Sequence, residues 1–189
     1  MSAAVAGVDP SISSTGVVHL GEHTQRFDRV QSKPAGDALS ARLERLRRQA
    51  IGVVRSVELG AAASKSTVVL VVIEGPAYGS NNQMTHMLAG FWWLLVHGLE
   101  QIAPVAVVQP GMLKKFATGN GRAGKDEMLA AAIRAFPAGE IRNNDVADAA
   151  ALAAIGAAHL GIEFGGGFAS SGRDSVRAVH WPIAKGERS

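Results

Sequence analysis

Apolar and polar positions alternate along this chain in short blocks at first and in longer periodic stretches later. Val5–Val8 is an apolar run closed by Asp9-Pro10; the turn formers Ser11, Ser13 and Ser14 follow, and a second run occupies Gly16–Leu20. Apolar runs bounded in this way predict buried strands. Pro10 disfavours helical backbone at the residue before it, so Asp9 is expected at a strand end, above small residues that leave room for a polar ligand. Gln25–Val30 reads as a third strand, joined to the second through Gly21-Glu22-His23-Thr24. After a polar connection at Ser32–Gly36, Leu39, Leu43, Leu46, Ala50, Val53 and Val57 recur at three- and four-residue steps, which predicts a helix capped by Asp37. Its opposite face carries Arg42, Arg45, Arg47, Arg48 and Arg55: a solvated face, or a surface for a phosphate backbone.

Gly60–Ser66 reads as a small-residue loop, and Thr67–Ile73 is an unbroken, mostly β-branched run of the kind found in strands covered on both faces. It ends directly on Glu74. Gly75-Pro76 breaks the chain before a polar loop at Tyr78–Asn82. Gln83–Ile102 predicts an apolar helix containing Trp92 and Trp93, Pro104–Val108 a fifth strand, Pro110–Phe116 a brief helical turn, Lys125–Phe136 an amphipathic helix, and Asp145–Leu160 an alanine-rich helix with acids at its start. Gly161–Ser189 is Gly/Ser-rich and basic and is expected to be a loose tail or an arm. A meander followed by alternating helices and strands predicts an α/β three-layer domain, a mixed five-stranded sheet with helices on both faces.

Composition narrows the class. At 189 residues and 47% apolar content the chain suits one domain with a normal core and excludes disordered or fibrous classes. It lacks the run of about 18 apolar residues that a membrane span needs. MSAAVAG carries no basic residue ahead of its apolar run, so a signal peptide is not expected. Cysteine is absent, which excludes thiolate metal sites and fits a reducing cytoplasm. With 19 Lys+Arg against 16 Asp+Glu, the net charge of +3 hints only weakly at nucleic acid. The hint strengthens if several acids are gathered in one site, because the remaining surface is then more basic.

The acids supply the candidate chemistry. Asp9 and Glu74 each end an apolar strand; if those strands are neighbours, both emerge at one edge of the sheet, where open α/β folds place ligands. Asp145 and Asp148 lie three apart at a helix start and share a face. Singly, such acids are most often caps or solvated groups. Packed across the strand ends, the helix would bring all four together, and the cluster would repel itself unless cations neutralised it. An all-oxygen donor set suits Mg²⁺ or Mn²⁺. The matching reaction is phosphodiester hydrolysis, one ion activating water and a second neutralising the leaving oxygen, with no side-chain nucleophile.

Gly7-Val8-Asp9-Pro10 with Thr15-Gly16, Val72-Ile73-Glu74, and Asp145-Val146-Ala147-Asp148-Ala149 together resemble the RuvC family of Holliday-junction resolvases, which have the ribonuclease H-like fold. The resemblance spans residues from about 3 to 160 and implies a nuclease domain over 1–160, with 161–189 as the appended tail. It implies that Asp9, Glu74, Asp145 and Asp148 are metal-binding catalytic acids, using Mg²⁺ or Mn²⁺, two ions per site. It also implies a homodimer making paired, symmetric nicks across a four-way DNA junction. Lys114 or Lys115 and Lys125 correspond to the family's lysines ahead of the last acids, where a cation can hold the scissile phosphate. Tyr78 is the candidate for the family's wedge against junction bases, and Arg122 and Arg45 are further candidate DNA contacts. Ser11, where relatives carry Gly after Asp-Pro, and the unmatched tail mark a divergent member from a bacterium or bacteriophage. The implied location is the cytoplasm of a bacterial cell or infected host.

Other readings are weaker. Gly119-Asn120-Gly121-Arg122-Ala123-Gly124 satisfies a dinucleotide-binding pattern, but the segment before it reads as helix, not strand, and no nucleotide cofactor is expected. Actin-like ATPases and sugar kinases open with a similar strand and turn but need two such domains. Closer rivals are a nuclease for flaps, forks or RNA-containing substrates and a non-catalytic branched-DNA-binding module. His23, His86, His97, His159 and His180 are scattered without metal-ligand spacing; His86 alone falls near the start of the helix after Glu74. Trp92 and Trp93 face different directions on their helix, one toward the core and one toward a dimer interface.

Overall fold

The computed structural model describes residues 2–34, 36–76, 83–168 and 173–182. Five strands form a mixed sheet. β1 (Ser2–Asp9), β2 (Ser14–Gly21) and β3 (Thr24–Gln31) make the expected antiparallel meander. β4 (Ser66–Glu74) runs parallel to β1, and β5 (Val105–Val108) parallel to β4, giving the order β3-β2-β1-β4-β5. The helices are α1 (Leu39–Ser64), α2 (Gln83–Leu99), α3 (Pro110–Thr118), α4 (Lys125–Ala135), α5 (Asn144–Leu160) and α6 (Arg173–Ala178). Among the described residues no helix is long and apolar enough to cross a membrane.

Side chains alternate across a strand, and both faces of the central strands are apolar. Ala6, Val8, Val71 and Ile73 join Val53 and Val57 of α1 and Phe91, Leu95 and Leu99 of α2 in one cluster. Val5, Leu70 and Val72 face the other way, into a second cluster built on α5 with α3, α4 and α6. The layer on that second side is thin. α5 lies on β1 and β2 with Ala147, Ala149, Ala150, Ala151, Ala153, Ala154 and Ala157 buried, and the strands meet it with glycine. A methyl carbon at Gly7 would overlap the backbone of Ala149 and Ala153, and one at Gly16 the carbonyl of Asp145. Gly156 of α5 returns the arrangement: a Cβ there would stand 2.6 Å from Val72 and 2.8 Å from Val5.

Several local expectations are corrected. α1 continues through Ala61–Ala63, good helix formers, and stops at Lys65, which takes a left-handed conformation (φ 51°) and donates its N–H to Ala62. The Gly60–Ser66 loop is therefore mostly helix. Asp37 does not cap α1; the cap position is Ala38, without a side-chain bond, and Asp37 pairs with Arg42 at 3.1 Å. Leu46, Ala50, Val53 and Val57 are buried as the periodicity predicts, whereas Leu39 and Leu43 ahead of them are 84% and 40% exposed. α3 runs two residues beyond the expected Phe116. Within the stretch expected as a loose tail or an arm, Phe164, Phe168, Val176 and Trp181 pack on the α5 cluster, and Trp181 stacks on His159 with ring centres 4.1 Å apart.

Because Gly16 meets backbone, which cannot swing aside, Gly16→Ala should lower stability by at least about 2 kcal/mol in urea unfolding. Gly90→Ala, at an exposed helical position with open space around it, should instead raise stability by about 0.5–1 kcal/mol.

Candidate active site

The register of β1 and β4 brings the first two acids together. Val8 pairs with Ile73, so Asp9 and Glu74 come next on adjacent strands. The two-residue alternation that sends Val8 and Ile73 toward α1 and α2 sends Asp9 and Glu74 to the α5 side. Both ends are pinned. The Trp92 indole N–H donates to the Glu74 carbonyl at 2.9 Å, and the Gly75 N–H to Val108 at 2.8 Å. Behind Asp9 the turn is closed by the Thr15 hydroxyl, which donates to the Ser11 carbonyl at 2.7 Å.

α5 supplies the other pair. Its first turn is capped by Asn143, whose side chain accepts from the Val146 N–H at 3.0 Å, so neither aspartate is consumed as a cap. Contact at Gly16 sets the start of the helix over the strand ends, and Asp148 approaches Asp9 and Glu74. Burial pushes the Asp9 carboxyl well above the usual range, reinforced by the charges of Glu74, Asp148 and Asp145 and by a hydrogen bond shared with Glu74. Glu74 is raised to about 7, first by burial and then by Asp148, with Lys114 opposing. Asp148 is raised to about 6, again by burial first, against the pull of Lys114 and, more weakly, Lys125.

Asp145 is engaged differently. Its Oδ2 accepts from the Ser14 hydroxyl and lies 3.4 Å from Arg29 Nε, which also donates to Ser14 at 2.6 Å. The structure thus holds three acids short of positive charge beside a fourth already paired. Ser14 belongs to the small-residue turn the sequence places above Asp9, whereas Arg29 is not marked by the sequence pattern. Arg29 reaches the site only because β3 lies against β2, with Arg29 in register with Gly16.

The expected cations divide. Lys114, half-buried on α3, acts on both Glu74 and Asp148, and Lys125, exposed at the start of α4, acts on Asp148. Lys115 is exposed on α3, and Arg122 is exposed in the loop to α4, its N–H held by the Asn120 side chain at 3.0 Å. That glycine-rich loop joins two helices instead of following a strand. Arg45 stands apart from the acids, on α1, with its Nε on the Ser32 hydroxyl at 3.0 Å. Tyr78 lies outside the described residues.

The donor set fits a hard divalent cation: oxygen atoms only, partly buried, with proton affinities raised by burial first and by the neighbouring acids second. Among the described residues no three His, Asp or Glu side chains are already closed around a common point as a ligand set. Asp9, Glu74 and Asp148 are the groups that would hold an ion, and Asp145 would join them on leaving Arg29.

No protein-family model matches the chain, and no curated protein does. Solved structures do. RuvC of Thermus thermophilus is 20% identical, with a TM-score of 0.62 over 85% of this chain and 98% of that one. T. thermophilus RuvC in complex with a Holliday junction substrate is also 20% identical, with a TM-score of 0.64 over 88% and 99%. This chain has their fold, the ribonuclease H-like three-layer arrangement, with the mixed sheet flanked on both faces.

The raised acids set the sign of a pH dependence. Asp148 and Glu74 titrate near 3.8 and 4.5 when unfolded but near 6 and 7 when folded. The folded chain binds more protons across that window, so stability is highest at its acid end and falls as pH rises through 6 to 7. His19 works in the opposite sense: burial lowers its affinity for protons, and it contributes stability as pH rises. Thermal unfolding in EDTA should therefore show wild type losing more stability than Glu74→Gln between pH 5 and pH 8.

Proposed function

We propose that this protein is a metal-dependent, structure-selective endonuclease that resolves four-way DNA junctions by paired phosphodiester hydrolysis. The observation that carries the reading is the convergence of Asp9, Glu74 and Asp148 at one sheet edge, raised in proton affinity and faced by Lys114. The likeness to RuvC structures, one of them in complex with a Holliday junction substrate, supports DNA as the polymer and a branched form of it as the substrate.

In this reading Asp9, Glu74, Asp148 and Asp145 hold Mg²⁺ or Mn²⁺, two ions when the site is full. Bound there, such ions would supply an activated water and neutralise the leaving oxygen. The chain's own residues do the rest. Lys114, with Lys125 at the rim, places a positive charge where the scissile phosphate enters and where negative charge grows during cleavage. Arg29 and Ser14 hold Asp145 beside the site until it turns from Arg29 to join the other acids. The buried, mutually repelling acids take up a cation readily, because binding it relieves a cost the fold already carries.

Two symmetric cuts call for two sites, and we infer a homodimer. Trp93 on α2 supports it: the residue is 66% exposed and packs edge-on against Trp92, ring centres 5.0 Å apart. Beside α2 lies a mostly apolar cleft of about 370 Å³ lined by Ile51, Val54, Leu94 and Gly98 and rimmed by Arg47, Arg55 and Glu58. Trp93→Glu should convert a dimer to a monomer in sedimentation, since a charge replaces an aromatic anchor.

The central test is cleavage of end-labelled four-way junction, flap, linear duplex and RNA–DNA hybrid with Mg²⁺, Mn²⁺ or EDTA. Symmetric nicks in the junction that need metal are expected. Asp148→Asn should reduce them by more than about 100-fold, the upper end of what loss of a group one layer out from a metal costs, while junction binding persists. Equal cutting of flaps or hybrids would replace junction resolution with a broader branched-substrate activity. Cutting that survives both EDTA and Asp148→Asn would remove the assignment.

A further inference from the structure

The end of the sheet that carries the acids has a second feature that the cleavage chemistry does not use. Between the end of β3 and the middle of α1 lies a cavity of about 430 Å³, lined among others by Ser32, Lys33, Arg45, Arg48, Gln49 and Gly52. Its charged lining residues are all cations. Arg48 also makes an exposed pair with Glu44, one helical turn away, at 3.2 Å. Such surface pairs are weak and leave a guanidinium able to turn to a better partner.

The cavity is tied to the turn after Asp9. Arg45 Nε donates to the Ser32 hydroxyl at 3.0 Å, and that hydroxyl donates to the Ile12 carbonyl at 2.6 Å. The Ser32 N–H donates to the Ser13 carbonyl at 3.1 Å. Beneath them Gln49, 2% exposed, donates to the Val30 carbonyl at 2.9 Å and reaches Thr15 Oγ1 at 3.3 Å. α1, the end of β3 and the turn are thereby one hydrogen-bonded unit. Ile12 is three residues from Asp9, so their Cα atoms are at most about 11 Å apart, and the unit is anchored next to the strand end that carries Asp9.

We propose that this cavity is an anion subsite that holds a backbone phosphodiester of bound nucleic acid, a few nucleotides from the phosphate presented to Asp9, Glu74 and Asp148. The inference rests on the nuclease reading above. Arginine forks match phosphate oxygens, and a phosphate gripped at a fixed distance from the acids sets the register of the strand without reading its bases. Arg45 and Ser32 orient the contact, while Lys33 and Arg48 add charge.

The test is equilibrium binding of a synthetic four-way junction in EDTA across a salt series. It compares wild type with Arg48→Ala, Lys33→Ala and Ser32→Ala, and with Arg134→Ala, which removes the same charge from α4. Each cavity cation should cost about 10-fold in affinity, the equivalent of one charge-assisted hydrogen bond, and make the log–log salt slope shallower by about 1. Ser32→Ala changes no charge and should weaken binding with the slope unchanged; Arg134→Ala should leave both near wild type. If wild type binds and the cavity variants keep its affinity and slope, or if Arg134→Ala loses as much as they do, the subsite is overturned. If wild type binds no DNA form at all, the nuclease reading is what fails. Inorganic phosphate, followed by side-chain NMR shifts, then tests the cavity alone. Shifts confined to Lys33, Arg45 and Arg48 would keep an anion site for a free phosphate group, and no shifts would end it.

Discussion

The close approach of α5 to the sheet is the constraint on which the site depends. At Gly7 and Gly16 helix backbone meets strand backbone with no side chain between them, and alanines fill the remainder of the contact. Such packing gains dispersion contacts over a wide area from small residues, and it leaves little freedom in where the helix can lie. The start of α5 therefore sits over the ends of β1 and β4, and Asp148 is delivered to Asp9 and Glu74 by main-chain geometry, not by a flexible loop. Asn143 completes the arrangement by satisfying the helix end, so both aspartates stay available.

Those acids are an electrostatic burden that the rest of the domain carries. Asp9, Glu74 and Asp148 would each hold a proton to higher pH than an isolated carboxyl, which is strain in the ionised, cation-free state. Two apolar clusters, one on each face of the sheet, offset it. Lys114 relieves part of the repulsion, and Arg29 pairs with Asp145, whose charge still reaches Asp9 and Asp148.

Much of this was legible in the chain. Asp9 and Glu74 were readable because each closes an apolar run, and strand alternation then fixes the side of the sheet they occupy. The pair on α5 was readable from its spacing. What the pattern could not carry was contact between segments remote in sequence. Arg29 lies on a strand whose alternation marks no site, and its meeting with Asp145 exists only once β3 is laid against β2. Arg45 is a candidate DNA contact by charge alone, yet it stands apart from the acids, on α1 beside Ser32. His19 gave no signal as a lone polar residue in an apolar strand, but the fold buries it against Ser66 at 2.9 Å, at the end of the sheet away from the acids. Gly60–Ser66 reads as a loop from its small residues but is mostly helix, because alanine is small and also the best helix former.

β3 carries one further implication. It is an edge of the sheet, and its sequence, TQRFDRVQ, sets charged and amide side chains along the open margin, with Arg26 and Asp28 paired at 2.6 Å. An edge so furnished resists docking of a foreign strand. The sheet is thereby closed to growth on that side, and a domain whose central strands are long, β-branched and prone to stacking is guarded against joining its neighbours into an extended ribbon at the crowded concentrations of a cell.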